Sequence, residues 1–348
     1  MTDPVLETLL LPLENGTIDL PPAPQRVLFL RARMGKDLGV FDKSQLDLVQ
    51  SFAPDREALA AGGYEAQPDI RGETYGLVLL LPPRQKQEAR ALIAEAFRRV
   101  APGGRVVLCA ANSEGGKAFE SDLADLAGAL EGNQSKAKCR VAWAFRDDGR
   151  LNTGLLAEWL EGDAVRPILE GRFVSRPGLF AWDHVDPATD LLIRTLPVNL
   201  SGLGADLGAG FGVLSSGVLA RCPKVAALDL YEAEKRALDL ARQNLAAETA
   251  PRRLQFFWAD VTKGLGRPYD FVVMNPPFHQ ATKADRTDVG QAFIRAAARG
   301  LKPGGHLWMV ANRHLPYEGV INELFTDLTM AADEAGYKVI HARKVRGK

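Results

Sequence analysis

The chain states one structural plan twice, and that repetition constrains its fold more than any other feature. Gly76 to Arg84 reads GLVLLLPPR and Asp270 to Phe278 reads DFVVMNPPF, each an apolar run of strand character ending in a double proline. Downstream, Val100 to Asn112 (VAPGGRVVLCAAN) matches Leu301 to Asn312 (LKPGGHLWMVAN), where a helix end meets a Pro-Gly-Gly turn and a buried strand follows. Helical patterns lie between them, Gln85 to Arg99 in the first copy and Gly290 to Arg299 in the second. Strands that alternate with helices pair in parallel, and such a sheet needs apolar cover on both faces. We therefore expect an α/β protein of two tandem Rossmann-like domains with mostly parallel sheets. The join falls where helical LLAEWLE gives way to turn-rich EGRFVSRPG, which sets domains at 1–168 and 169–348.

Only the second copy carries residues with evident chemistry. Leu203 to Ser215 reads LGADLGAGFGVLS: a short strand is expected to end at Asp206, and Gly208, Ala209, Gly210 and Gly212 turn the chain into a helix. Glycines let a backbone approach a ligand closely, and the helix start offers unpaired N–H groups. Seventeen residues after Gly212, the strand Val225 to Leu228 is expected to end at Asp229, with the following Leu230 also at the cofactor. A carboxylate there could accept hydrogen bonds from both hydroxyls of a ribose. Asp206 precedes the glycines, where it would repel a pyrophosphate but could hold a cationic amino acid. The loop is GAGFG, not the GxGxxG of dinucleotide binders, so the pattern points to S-adenosylmethionine, which carries an ammonium and a sulfonium but no phosphate. A third strand end, Trp258-Ala259-Asp260-Val261, could present Asp260 to the adenine amine, although the same residue suits a helix or turn cap.

Asn275-Pro276-Pro277-Phe278 follows the apolar strand Phe271 to Met274, at a carboxyl strand end where open α/β sheets seat their ligands. An aromatic amine is a poor nucleophile because its lone pair is delocalised into the ring. Carbonyl acceptors on its two N–H groups, from the Asn275 side chain and the Pro276 backbone, would favour a pyramidal and more reactive nitrogen. The prolines stiffen the loop and remove competing donors, and Phe278 offers a face for stacking an extruded base. Asn-Pro-Pro also makes a plain turn, and LPPR shows that a double proline can stand without chemistry. His279 follows and is either a contact to base or phosphate or a surface histidine. The first copy begins with RVLFLRAR, lacks the glycine series, and has Leu81 where the second has Asn275. We expect it to keep the fold without a cofactor site.

Composition narrows the class further. The 43 Lys and Arg balance 43 Asp and Glu, which argues against a strongly basic nucleic-acid scaffold. The balance conceals an asymmetry: residues 1–170 hold 20 basic and 25 acidic side chains and residues 171–348 hold 23 and 18, so the halves carry −5 and +5. A mildly basic second half fits a phosphate-bearing partner or simply a solvated surface. Cys109, Cys139 and Cys222 are scattered, suggesting neither disulfides nor a zinc site. No basic residue precedes Arg26 and no apolar run is long enough to span a membrane, so a cytoplasmic protein with neither membrane nor metal partner is expected, as a monomer. The basic run Lys338 to Lys348 is expected as a solvated edge strand, with contact to RNA as the alternative.

These residues resemble the two-domain bacterial ribosomal RNA guanine-N2 methyltransferases that act on small-subunit (16S) RNA, which have a close relative acting on large-subunit RNA. The resemblance rests on ADLGAGFGVLS, ALDLYEAE, WADVTKGL, VVMNPPFH, GQAFIRAA and VANRHLPYE, with the leading segment SRPGLFAWDHVDPATDLL, and covers nearly the whole chain. It implies two class I methyltransferase domains, the first degenerate and aiding folding and RNA engagement. It also implies cofactor and guanine sites at Asp206, Gly208, Gly210, Asp229, Asp260 and Asn275 to Phe278, and ribosomal RNA or an assembled small subunit as partner. One departure is visible: the family has Asp-x-Gly-Ser/Thr where this chain reads Asp186-Pro187-Ala188-Thr189. Other readings of the same clamp are an adenine-N6 DNA methyltransferase and a protein glutamine methyltransferase, whose members more often carry Tyr after the prolines. An NAD-dependent oxidoreductase is disfavoured by GAGFG, and a non-catalytic RNA-binding factor by the intact Asn275 and glycine loop.

Overall fold

The computed structural model describes residues 3–249, 252–277 and 283–345. Two compact units emerge, Met1–Val165 with Arg176–Gly178 and Arg166–Ser175 with Leu179–Lys348. The first unit contains β1 (Val27–Leu30), β2 (Leu46–Val49), β3 (Ala66–Gln67), β4 (Tyr75–Leu80), β5 (Val100–Ala111), β6 (Gly132–Lys136) and β7 (Cys139–Phe145). They form one sheet in the order β3-β2-β1-β4-β5-β7-β6. The second unit opens with a hairpin of β8 (Arg166–Ile168) and β9 (Phe173–Ser175). Its main sheet comprises β10 (Ser201–Leu207), β11 (Lys224–Glu232), β12 (Arg253–Trp258), β13 (Tyr269–Met274), β14 (Leu301–Asn312), β15 (Phe325–Glu334) and β16 (Tyr337–Lys344). The order is β12-β11-β10-β13-β14-β16-β15, the same plan again. In each sheet five strands pair in parallel and the last two pairings are antiparallel, with β7 and β16 the reversed strands, so the expected two-domain, mostly parallel α/β architecture is what the sequence forms.

The apolar runs explain the layering. Phe271, Val272, Val273 and Met274 are all buried, as a strand covered on both faces requires. Phe271 and Val273 face one core with Leu192, Leu214 and Val218, while Val272 and Met274 face the other with Ile294, Ala297 and Ile321. Each such side chain contributes about 1.5–3 kcal/mol by leaving water. In this order the chain leaves β10 towards β11 on one side and pairs it with β13 on the other. The crevice at the carboxyl end of β10 is therefore where a ligand belongs.

Three expectations need correction. β11 continues to Glu232, three residues past the predicted end at Asp229, because Tyr231 and Glu232 still pair with Phe257 and Trp258 of β12. The Pro-Gly-Gly segments lie inside β5 and β14, where the pairing shifts register and Gly103 and Gly304 adopt φ of +75° and +79°. β16 is not an edge strand: it pairs with both β14 and β15, and Lys338 is buried, donating to Leu315 O at 2.8 Å and pairing with Glu318. Its apolar residues Val339, Ile340 and Ala342, buried beside β14, outweigh its basic composition.

Candidate active site

The glycine turn begins where β10 ends. Gly208, Gly210 and Gly212 take φ of +77°, +56° and +96°, a region that L side chains enter only with strain. Gly208 and Ala209 N–H groups donate to Tyr231 O at 2.8 and 3.1 Å, which ties the turn to β11, and Gly212 caps the helix Val213–Arg221. A Cβ added at Gly210 would meet no atom within 4 Å, so this backbone faces open space.

Three carboxylates lie around the turn in different states. Asp206 is fully buried at the end of β10, with Oδ2 accepting from Ser215 Oγ at 2.7 Å and Oδ1 without a partner among the described residues. Burial pushes its carboxyl up to about 7, against the Ser215 hydrogen bond, and nearby Glu232 adds to the rise. Glu232 closes β11 and accepts from Gly210 N–H at 2.8 Å through Oε2 and from Glu234 N–H at 2.8 Å through Oε1. Its carboxyl is likewise raised, first by burial.

Asp229 does not stand at the strand end. Fully buried in mid-strand, it accepts from Arg267 Nε at 2.7 Å, Arg267 Nη2 at 2.5 Å and Tyr269 Oη at 2.7 Å. Those donors occupy both of its oxygens, so the predicted ribose contact at Asp229 is corrected: the carboxylate at the turn belongs to Glu232. The side chain of Leu230, also expected at the cofactor, is wholly buried in the core beside Leu228 and Leu238. Asp260 caps the short helix Val261–Lys263 through Oδ1, which accepts from Thr262 N at 2.9 Å and Thr262 Oγ1 at 2.6 Å. Val261 buries its side chain.

Asn275 follows β13 on the other side of β10. Its Nδ2 donates to Asp186 Oδ2 at 2.9 Å and to Thr189 Oγ1 at 2.9 Å, while its Oδ1 is buried with no partner among the described residues. Asp186 caps the helix Pro187–Thr195. Pro276 is buried and Pro277 exposed, whereas Phe278 and His279 lie outside the described residues.

One open cleft gathers Gly208, Ala209, Gly210 and Asn275 at the carboxyl ends of β10 and β13. Sequence reasoning missed its other polar walls, Asp186, Thr189 and His184, and the aromatic Phe180, which is 48% exposed. The segment DHVDPAT offered a signal in its Asp-Pro helix start, and Glu232 stands twenty residues after Gly212, the spacing typical of a ribose-binding acid. These residues fit S-adenosylmethionine: an open backbone cradle at Gly210, an unpaired buried carboxylate oxygen at Asp206 for a cation, and a strand-end acid at Glu232. Among the described residues no cluster of three or more His, Cys, Asp or Glu could hold a metal, and no helix is long and apolar enough to cross a membrane.

The chain is similar to known proteins over most of its length. The family "Methyltransferase small domain" matches residues 170–341, the second unit. The ribosomal RNA small subunit methyltransferase C of Alteromonas mediterranea is 30% identical over 317 residues, covering 85% of this chain and 84% of that protein. That of Psychromonas ingrahamii is 28% identical over 277 residues, covering 78% and 77%. Among solved structures, the T. thermophilus 16S rRNA N2 methyltransferase RsmC, in complex with AdoMet and guanosine, superposes with a TM-score of 0.80. It is 26% identical, with 98% of this chain and 92% of that one covered.

Proposed function

Because the chain belongs to the ribosomal RNA small subunit methyltransferase C family, an S-adenosylmethionine-dependent family acting on ribosomal RNA, we propose that it methylates the N2 amine of a guanosine in 16S RNA. The observation that carries the proposal is the buried Asn275 Oδ1, without a partner among the described residues, on a residue that lines one cleft with the glycine turn. When bound, S-adenosylmethionine supplies an electrophilic methyl group on sulfur. Gly208 to Gly210 would lie along its amino-acid part, Asp206 would face its positive charge, Glu232 would accept from the ribose hydroxyls, and Asp260 would use Oδ2 for the adenine amine. Asn275 Oδ1 and the Pro276 carbonyl would take the two N–H groups of the guanine amine, directing the nitrogen lone pair towards the donor. Phe180 or Phe278 would stack the extruded base. The first unit, with Leu81 at the Asn275 position, would serve RNA engagement rather than chemistry.

The deciding experiment is transfer of labelled methyl from S-adenosylmethionine to small ribosomal subunits, and to free 16S RNA, from cells lacking the enzyme, followed by nucleoside analysis. N2-methylguanosine is the expected product. N6-methyladenosine, label on protein glutamine, or no label in RNA would overturn the proposal.

A pH dependence follows from Asp206. With its carboxyl near pH 7 in the free protein, a bound cation favours the ionised form, so binding below that pH must expel a proton. Cofactor Kd should fall about tenfold between pH 5.5 and 7, a window in which the α-amine of the cofactor stays protonated. Calorimetric titration of the wild type and Asp206→Asn tests this. A flat profile in the wild type would show that Asp206 does not face the cation.

A further inference from the structure

We propose that Asp186 and Thr189 are positioning residues for methyl transfer, fixing the Asn275 amide so that its oxygen, and not its nitrogen, faces the guanine amine. This rests on the reading of Asn275 given above. Both acceptors come from one helix start: Asp186 is the cap of Pro187–Thr195, and Thr189 is the residue whose N–H it caps. Thr189 Oγ1 donates to Asp186 Oδ2 at 3.2 Å, which leaves its lone pairs to accept from Asn275 Nδ2 at 2.9 Å. Asp186 Oδ2 accepts the other Asn275 hydrogen at 2.9 Å. The two hydrogens of Nδ2 are thereby matched to two acceptors.

A reversed amide would set Asn275 Oδ1 against the Asp186 carboxylate at the same short distance, oxygen to oxygen, and would leave the buried nitrogen without an acceptor among the described residues. Ionised carboxylates only accept, so the polarity of the amide is dictated by its neighbour. The buried state of Oδ1, without a partner among the described residues, is the consequence: both side-chain hydrogens of Asn275 are used on the helix, and its side-chain oxygen is held ready. A carboxylate behind the amide also polarises it and makes Oδ1 the stronger acceptor.

The first unit separates this role from simple capping. There Asp3-Pro4 begins the helix Pro4–Glu14 as Asp186-Pro187 begins its counterpart, and Asp3 Oδ1 caps it through Val5 N at 3.0 Å and Leu6 N at 3.3 Å. Its second oxygen, however, is taken by Arg33 Nη1 at 3.2 Å, and Leu81 stands in the place of Asn275. The cap is retained in both units, and the link to an asparagine only where the glycine turn is present. Ala188, the departure from the family pattern, is buried in the helix and leaves the cap intact.

The test compares Asp186→Ser, Asp186→Asn, Thr189→Val, Thr189→Ser and Asn275→Ala in the full chain, assayed on small ribosomal subunits from cells lacking the enzyme. Serine at 186 keeps a capping oxygen but is too short to reach Asn275, whereas asparagine keeps one oxygen able to serve both. Single-turnover methyl transfer at saturating cofactor and subunits should fall about 10–100-fold in Asp186→Ser and less in Asp186→Asn. It should fall about 3–10-fold in Thr189→Val and recover in Thr189→Ser, with cofactor Kd within about threefold throughout. Activity within about twofold of wild type in both Asp186→Ser and Thr189→Val, beside an inactive Asn275→Ala, would overturn the positioning role and leave the Asn275 reading standing. A loss expressed wholly in cofactor affinity would also overturn it. Full activity in Asn275→Ala would instead remove the reading on which it rests.

Discussion

Asn275→Ala is expected to abolish measurable methyl transfer, a loss of at least about 10²–10³-fold in kcat, the range seen when one preorganised hydrogen bond to a developing charge is removed. Cofactor Kd should move by less than about threefold. The separation follows from where Asn275 stands: it comes off β13 on the far side of β10 from Glu232, and its side-chain oxygen, without a partner among the described residues, is an acceptor that a donor-bearing amine can use. Removing it leaves the glycine turn untouched, since Gly208, Ala209 and Gly210 bond to Tyr231 and Glu232. Equilibrium binding of S-adenosylmethionine and single-turnover transfer, measured on the same preparation, check both halves. Equal loss of affinity and rate would mean that Asn275 holds the donor and not the amine.

That site was partly legible from the sequence, for reasons that differ residue by residue. The duplicated strand-proline-proline and Pro-Gly-Gly segments revealed the two-unit architecture because parallel strands buried on both faces must be apolar throughout, and such runs stand out. Asn275 and the glycines were readable because each occupies a strand end with composition that few other contexts demand. Glu232 was missed by three residues. An apolar run ordinarily stops at the first acidic residue, yet Asp229 lies inside the strand, paired with Arg267 nearly forty residues later in the sequence. No local pattern announces such a partner; only the twenty-residue spacing from Gly212 pointed beyond it. The sequence around Asp186 and Thr189 carries the family likeness but not their chemistry, because their hydrogen bonds to Asn275 span 89 and 86 residues and exist only once the helix Pro187–Thr195 packs near the end of β13. Conversely, the basic composition of 338–348 misled, since Lys338 is drawn into the interior by Glu318 and the Leu315 carbonyl.

Asp229→Ala and Glu232→Ala should fail in opposite ways. Asp229 is fully buried, so its removal strips the Arg267 guanidinium and the Tyr269 hydroxyl of their shared acceptor. Breaking a buried pair from one side costs about 3–5 kcal/mol, and the lower end applies because the Arg267 side chain is 28% exposed and can draw on water. For a unit of this size that corresponds to a fall in Tm of about 6–12 °C. The surviving folded protein should bind S-adenosylmethionine almost normally. Glu232→Ala should melt near wild type, because its two described bonds go to backbone N–H groups at the strand end. Its cofactor affinity should drop about 10–100-fold, equivalent to one or two charge-assisted hydrogen bonds to a ribose. Thermal melts with and without cofactor read both effects at once: the cofactor-induced rise in Tm persists in Asp229→Ala and shrinks in Glu232→Ala. The reverse pattern, a stable Asp229→Ala protein blind to the cofactor, would return the ribose contact to mid-strand and show that Arg267 swings away when the donor binds.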